Sequence, residues 1–365
     1  MFDFIPGEDY SVVFFQIILG ICLITYFHTL VLSGYEQKIY NYNKTLAVIL
    51  LVFTILYIGY RPNSGIYFGD MKTYYYTFLQ FKNGKAISLE GDIAFEVFLK
   101  ITSAIMSARM FFIVCAIIYV LPLYIAAKNL IPKYDFFVFL LLIASFSFWG
   151  YGTNGMRNGM ATSLFILGLS YISKNNLKMV LFLILSVLFH KSMLLPLLAL
   201  VISFIITDTK KYFMFWGLSI ILSLVMGGFW EQLFASIGFG DDRLAGYLSA
   251  QADPDKFSST GFRFDFLLYS AAPIALAYFY TLKKGFQDKI YNHILHTYII
   301  ANAFWVMVIR ANFSNRFAYL SWFLMALVVG YPLFKGLFWS NQFKKVGIIL
   351  ILYYAFTYYM FYIKQ

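Results

Sequence analysis

Long apolar runs recur from one end of this chain to the other, separated by short polar turns. A run of about 20 mostly apolar residues can cross a bilayer as a helix, and shorter helices occur inside bundles. Of the 365 residues, 61% are hydrophobic and 12% are charged, against about 25% charged in a soluble domain. A soluble core of this size cannot bury that apolar excess, so lipid must be the solvent. The expected fold is all-α, a polytopic transmembrane helical bundle of about twelve spans, with 1–365 as a single integral membrane domain. The spans fall near 11–32, 46–60, 110–127, 135–150, 157–173, 177–190, 193–206, 212–228, 263–282, 289–309, 316–334 and 346–362. Outer loops are expected at 61–109, which includes an interfacial helix, and at 229–262.

The formal net charge is +11. In a soluble protein that would point to nucleic acid. Here the charges sit in short turns between apolar runs, with no RNA-binding motif, so topology is the better reading and no nucleic-acid partner is expected. Cys22 and Cys115 fall within apolar runs, which argues against a structural disulfide. The acidic stretch Met1 to Tyr10 has no basic n-region and does not read as a cleaved signal peptide. No internal repeat or low-complexity linker stands out.

Segment 93–107 decides the orientation. It is apolar but carries Glu96 and Lys100. If it crossed, the lysine-rich turns Lys174–Lys178, Lys210–Lys211 and Lys283–Lys289 would face outward, against the positive-inside rule. It is therefore expected to be an interfacial or re-entrant helix on the outer side. The inner loops then hold lysines and no arginine, while all seven arginines, Arg61, Arg109, Arg157, Arg243, Arg263, Arg310 and Arg316, lie outward. Arginine's planar fork binds phosphate or carboxylate in bidentate fashion and stays charged. Outward arginines at helix ends suit an anionic ligand, although several can also snorkel to lipid phosphates.

Five constellations could carry chemistry. The first runs from Gly59-Tyr60-Arg61 through Gly69-Asp70 to Tyr74, Tyr75 and Tyr76, where a carboxylate and aromatic faces at a membrane exit suit a sugar; an interfacial tyrosine belt is the plainer reading. The second is Asp92 and Glu96, spaced i,i+4 at a helix head. Asp92 suits the helix dipole, and Glu96 lies deeper in an apolar run, where ionisable groups tend to be functional. The third, Gly150 to Ala161, sets four glycines around Arg157 and Asn158. That pattern fits either close backbone approach to a phosphate or tight helix packing. The fourth is His190, at the turn of a tight hairpin, suited to a proton shuttle or anion contact. The fifth is the turn from Arg310 to Arg316, with an arginine at each end to clamp a diphosphate. The acidic residues Asp241, Asp242, Asp253 and Asp255, with Arg243, fall in the 229–262 loop and could select a sugar.

No metal site is expected: of His28, His190, His293 and His296, the pair His293 and His296 has no cysteine or carboxylate partner at ligand spacing. Walker, Rossmann and GxSxG patterns are missing, and no cofactor is expected. The short inner loops offer little to a cytosolic nucleotide, so an enzyme of this kind would use a substrate already activated at the outer leaflet.

These features, in this order, resemble the EpsG-like group of Wzy-type polysaccharide polymerases over about residues 46–334. A span ending in Arg61 is followed by Gly69-Asp70 and Tyr74. A helix then opens with Asp92 and Phe95. Arg157-Asn158-Gly159 heads a later span, His190-Lys191-Ser192 ends another, and Arg316-Phe317 comes last. The family usually has Glu where Asp92 stands and Gln where Asn158 stands, which leaves open whether Asp92 or Glu96 is the working carboxylate. The resemblance implies a metal-independent glycosyltransferase, with a GT-C-like bundle, at the outer face of the bacterial inner membrane. It would pass a growing O-antigen, capsular or exopolysaccharide chain from undecaprenyl diphosphate onto an incoming lipid-linked repeat. Asp70, Asp92 or Glu96 would deprotonate the acceptor, with His190 assisting. Arg61, Arg157, Arg310 and Arg316 would hold the diphosphate, and Tyr74, Tyr75 and Asn158 the sugars. Membrane lipid, a chain-length regulator protein and a flippase are the further partners implied.

Three other functions compete. A ligase moving the glycan from the same carrier to lipid A or protein would need much the same arginines. A transporter or flippase of lipid-linked sugars would be expected to carry repeats and midplane polar residues. A multi-span acyltransferase would show an early membrane histidine with a basic neighbour, and His28 has none.

Overall fold

The computed structural model describes residues 2, 4–31, 37–88, 91–237, 261–311 and 314–362. Contacts group the chain into two compact units, Met1–His190 with Leu333–Gln365, and Lys191–Pro332. In the first unit, α1 (Tyr10–Val31) and α2 (Gln37–Gly59) lead to three helices of the 61–109 segment: α3 (Gly65–Phe68), α4 (Met71–Lys82) and α5 (Ile93–Ile105). Then come α6 (Ala108–Leu130), α7 (Asp135–Ile143), α8 (Phe146–Thr153), α9 (Met156–Leu169) and α10 (Asn176–Phe189). The second unit holds α11 (Leu194–Ile205), α12 (Thr209–Ile237), α13 (Phe264–Tyr278), a π turn at Phe279–Lys283, α14 (Lys289–Met307) and α15 (Ser314–Trp322). Helix α16 (Met325–Lys335) runs to the unit boundary, and α17 (Gln342–Tyr362) belongs to the first unit.

Among the described residues, six helical stretches are long and apolar enough to cross a membrane: α1, α6, α12 to Phe234, α13 with its π turn, Ser314–Lys335 and α17. The bent pair α7–α8, which turns by 69°, makes a seventh if it is one span. Length and composition thus support six or seven crossings, where about twelve were expected from apolarity. The difference lies in α2, whose apolar part is Asn43–Gly59, and in α9, α10, α11 and α14. Helices α9, α10 and α11 have 14, 14 and 12 residues. At about 1.5 Å per residue they reach roughly 18–21 Å, short of a hydrocarbon core about 30 Å thick. Helix α14 is long enough but carries Asn292, His293, His296 and Asn302. Residues 229–237, expected in a loop, continue α12 beyond a kink at Met226. Asp241, Asp242, Arg243, Asp253 and Asp255 lie outside the described residues.

Segment 61–107 begins and ends at the same end of the first unit. The Arg109 guanidinium, in the first turn of α6, stands 5.6 Å over the Tyr60 ring at the end of α2. A Cβ on Gly59 would come within 3.0 Å of the Ile113 backbone. Helix α5 is therefore no net crossing, and its 13 residues are too few for one. Its inward face buries Phe95, Leu99, Thr102 and Ser103. Ile93, Val97, Ile101 and Ile105 recur every four residues on the exposed face, an apolar stripe suited to lying on lipid.

Charge sorts along the same axis. Arg61, Arg109 and Arg157 gather at this end through contacts to Thr153, Tyr60 and Asp92. At the other end Lys174 donates to the Asn129 carbonyl and feels the charge of Lys335, while Lys44 and Lys128 act on Asp135. Helix α17 packs antiparallel on α1, with Tyr354 donating to the Phe15 carbonyl at 2.7 Å and Gln16 to the Tyr362 hydroxyl at 2.9 Å. At the α7–α8 bend the Ala144 carbonyl accepts from Thr357 Oγ1 at 2.9 Å. That bond satisfies a group that lipid could not.

The second unit is organised on α14. Its Asn302 amide donates to Ser270 Oγ at 3.1 Å and Ser321 Oγ at 3.0 Å, and its carbonyl accepts from Trp216 Nε1 at 2.8 Å. Trp322 Nε1 adds a bond to Ser270 Oγ at 2.7 Å. One amide thereby ties α12, α13 and α15 to α14. Asn302→Ala leaves these buried partners short of bonds, a loss of about 1–3 kcal/mol per unsatisfied group. The expected result is a clearly lower thermal unfolding midpoint in detergent, against little change for lipid-facing Leu218→Ala.

Candidate active site

Three of the sequence motifs meet at the arginine end of the first unit. Arg157, in the first turn of α9, donates from Nη1 to Asp92 Oδ2 at 2.6 Å. Its Nε donates to the Tyr74 hydroxyl at 3.4 Å. The guanidinium lies 5.9 Å over the Tyr74 ring and 5.7 Å over Phe95, and the two rings pack edge to face at 5.6 Å. Tyr74 is delivered by α4, Asp92 caps the start of α5, and Phe95 sits one turn into α5. Burial raises the Tyr74 phenol pKa, outweighing the opposing pull of Arg157, so the ring stays neutral and its oxygen accepts. The arginine side chain keeps 19% of its surface exposed and the aspartate 9%. This is a part-buried, oriented guanidinium whose charge is balanced by a carboxylate, not an isolated cation.

The loop before α4 is held from the same α8–α9 turn. Asn154 Oδ1 accepts from the Asp70 backbone N–H at 2.8 Å. Gly69 has a φ of +52°, and the Asn154 side chain fills the place where a Cβ would stand. A glycine is needed there on both counts, which explains the Gly69-Asp70 pair. The Asp70 carboxylate itself is exposed. Beside it opens a groove of about 610 Å³ lined by Asn63, Ser64, Lys72, Thr73, Tyr75 and Tyr76, within the roughly 300–1,000 Å³ usual for ligand sites. Amide, hydroxyl and aromatic groups side by side match the mixed faces of a sugar.

Other expected site residues take different places. Arg61 is 4% exposed. It spends Nη1 on the Ile58 carbonyl at 2.6 Å, and Nη2 on the Thr153 carbonyl at 3.2 Å and Met156 Sδ at 2.9 Å. Phe68 and Phe112 lie 5.9 and 5.4 Å from it. Burial pulls its pKa down to about 10, which leaves it charged at neutral pH. Its fork is turned to backbone, and the expectation of a diphosphate ligand gives way to that of a clamp. Glu96 Oε2 accepts from the Ser88 backbone N–H at 2.6 Å, so it shapes the approach to α5. Tyr74 is buried against Arg157, which leaves Tyr75 and Tyr76 of that constellation to face the groove.

Gly152 and Gly159 allow close packing. A Cβ on Gly159 would meet the Tyr151 carbonyl at 2.5 Å, and one on Gly152 the Ile58 side chain at 2.9 Å. Asn158 is half-buried on α9. His190 is buried at the end of α10. Ser186 of α10 donates to the Ala161 carbonyl of α9 at 2.6 Å, which sets His190 at the same end as Arg157. Phe189 packs on Phe98 of α5 at 6.1 Å. Asn154 was not foreseen as a site residue. Its signal is its place at the end of α8 within the glycine-rich run.

Arg310 and Arg316 belong to the second unit. Arg310 donates to the Ser223 carbonyl at 2.6 Å, and Arg316 is exposed in the first turn of α15. Asn312 and Phe313, in the middle of the expected clamp, lie outside the described residues.

If Arg61 is a clamp, Arg61→Lys removes the fork that joins two carbonyls at once. Hydrogen bonds of charged groups are worth about 1.5–3 kcal/mol. The expected outcome is a fall in thermal stability of that order without ligand. An unchanged unfolding midpoint would return Arg61 to the ligand-binding groups.

No curated protein and no solved structure matches the chain. The sequence model of the EpsG family matches residues 44–365, a stretch that takes in Arg61, Gly69-Asp70, Tyr74, Asp92, Arg157, His190 and Arg316. With the clamp, the groove and the arginine–aspartate pair all inside that match, the chain belongs to the EpsG family, a Wzy-like family of polysaccharide polymerases.

Proposed function

We propose that this protein is a polymerase that joins lipid-diphosphate-linked oligosaccharide repeats into O-antigen, capsular polysaccharide or exopolysaccharide. The observation that carries the reading is the convergence of Tyr74, Asp92, Phe95 and Arg157 from three separated motifs onto one guanidinium beside a sugar-sized groove. The arginine end faces the outer side of the bacterial inner membrane and the lysine end the cytoplasm, as the positive-inside rule asks. The shorter helices complete about twelve crossings in company with the longer ones. A flippase supplies the repeat on its undecaprenyl diphosphate carrier, and a chain-length regulator acts at the product end.

The reaction is a glycosyl transfer. The acceptor hydroxyl oxygen bonds to the anomeric carbon of the donor glycan while its proton passes to a carboxylate. The anomeric C–O bond to the diphosphate breaks, and the carrier leaves with the electron pair. Arg157 meets the growing charge on that leaving group, a role worth about 10²–10³ in rate for a single well-aimed donor. Its fork is held in register by Asp92 and Tyr74. Of the three carboxylates foreseen, Asp92 is engaged by Arg157 and Glu96 by a backbone N–H. Asp70 is exposed between groove residues Gly69 and Lys72 and is the best placed to take the proton. His190 assists from the end of α10. A diphosphate is already a good leaving group, so the step has no formal need of a metal.

Polymer ladders in a host lacking its own polymerase test the reading. Wild type restores full ladders; Arg157→Ala reduces polymer about 10²-fold or more, and Asp70→Asn and Arg316→Ala also shorten ladders. Full ladders from Arg157→Ala would overturn the assignment. Normal chain length with lost attachment to lipid A or protein would indicate a ligase instead. Purified protein that leaves the lipid-linked repeat unchanged would indicate transport.

A further inference from the structure

The second unit holds another arginine beside a carboxylate, and this pair is not closed. Arg310 reaches α12 at its kink. Its Nη1 donates to the Ser223 carbonyl at 2.6 Å, and Gly227 leaves the room that a Cβ would take from the guanidinium. The Phe262 ring lies 5.1 Å from the guanidinium carbon. Glu231 follows Gly227 by four residues, on the same face of α12. The charge of Arg310 acts on Glu231, yet no nitrogen–oxygen pair between them falls within 4.0 Å. Among the described residues the ion pairs that do are Arg157–Asp92 and Arg263–Asp265.

Three polar atoms around this pair are buried with no hydrogen-bond partner: Glu231 Oε1, Trp230 Nε1 and Ser223 Oγ. Buried polar groups are nearly always satisfied, and each one left unpaired costs about 1–3 kcal/mol. Together they offer an acceptor, a donor and a hydroxyl beside the donors of Arg310. A ligand that answers all of them both donates and accepts through oxygen. Glu231 Oε1 is an acceptor, and an ionised diphosphate has no hydrogen to donate to it. A saccharide meets the requirements: its hydroxyls donate to Glu231 and accept from Trp230 and Arg310, and its C–H faces pack on the Phe262 ring.

We propose that Glu231, Trp230 and Arg310 form a saccharide-binding site, distinct in its residues from the Tyr75–Tyr76 groove. The proposal rests on the polymerase reading for its place in the reaction, since glycosyl transfer engages two saccharides, a donor and an acceptor. It also replaces the diphosphate role expected of Arg310 with that of a hydroxyl donor.

The test uses the full chain, purified into lipid nanodiscs and titrated with the free oligosaccharide repeat released from the host's own polymer, with tryptophan fluorescence as readout. Wild type should give a saturable change, Trp230→Phe should lose that change, and Glu231→Ala should shift the midpoint at least tenfold. Should Glu231→Ala fail to give monodisperse protein, Glu231→Gln takes its place, with a shift of at least threefold. Leu218→Ala, on the exposed face of α12, should titrate like wild type. No saturable change in wild type, a retained change in Trp230→Phe, or an unshifted midpoint in the Glu231 variants overturns the site. Polymer ladders report separately on the polymerase reading: if wild type restores none while Glu231-dependent binding persists, that reading falls and the saccharide site stands.

Discussion

The arginine end of the first unit hangs on one buried guanidinium. Helix ends leave carbonyls without intrahelical partners, and near a bilayer water is a poor substitute. Arg61 satisfies two such carbonyls with one planar fork, Ile58 near the end of α2 and Thr153 at the end of α8. Both working parts of the site hang from that joint. Asn154, next after Thr153, reaches Gly69-Asp70 and holds the groove loop. Met156, which touches Arg61, precedes Arg157 and its contacts to Asp92 and Tyr74. A lysine has three donors but no rigid fork, so it would not hold the α2 and α8 carbonyls at a fixed spacing.

The same-end return of 61–107 is the other constraint on which function depends. If α5 crossed, Arg61 and Arg109 would lie at opposite ends, and Arg109 could not stand over Tyr60. Because the segment returns, α4 and α5 lie against the arginine end and bring Tyr74, Asp92 and Phe95 to Arg157. The lysine-only turns at the far end follow from the same geometry.

Much of this was legible in the sequence, and the failures share a cause. The all-helical membrane class follows from apolar runs that no soluble core could bury. The placement of 93–107 follows from charge alone, because a crossing there would reverse the later turns. Order and spacing of short motifs were enough to associate Tyr74, Asp92 and Arg157. Residue type at a helix end, however, does not reveal burial. Arg61 and Arg157 look alike in sequence, yet one is spent on backbone and the other on an aspartate. Tyr74 could have been separated from Tyr75: Met71, Tyr74, Phe78 and Phe81 recur at helical spacing, and all four are buried. Span number is not fixed by apolarity, because it persists in α9, α10 and α11, which are too short to cross alone.

Each unit sets a carboxylate against its arginine, and the closeness of that pairing changes what the arginine can do. Asp92 meets Arg157 at 2.6 Å, so the fork is oriented and its charge is partly spent before any ligand arrives. An isolated cation at a lipid surface would hold any phospholipid headgroup. A guanidinium already balanced by aspartate and braced by Tyr74 rewards a ligand for geometry more than for charge, which favours a diphosphate presented at a fixed angle over a passing phosphate. Glu231 feels the charge of Arg310 without closing on it, and the unpartnered buried atoms of Ser223, Trp230 and Glu231 ask for hydroxyls.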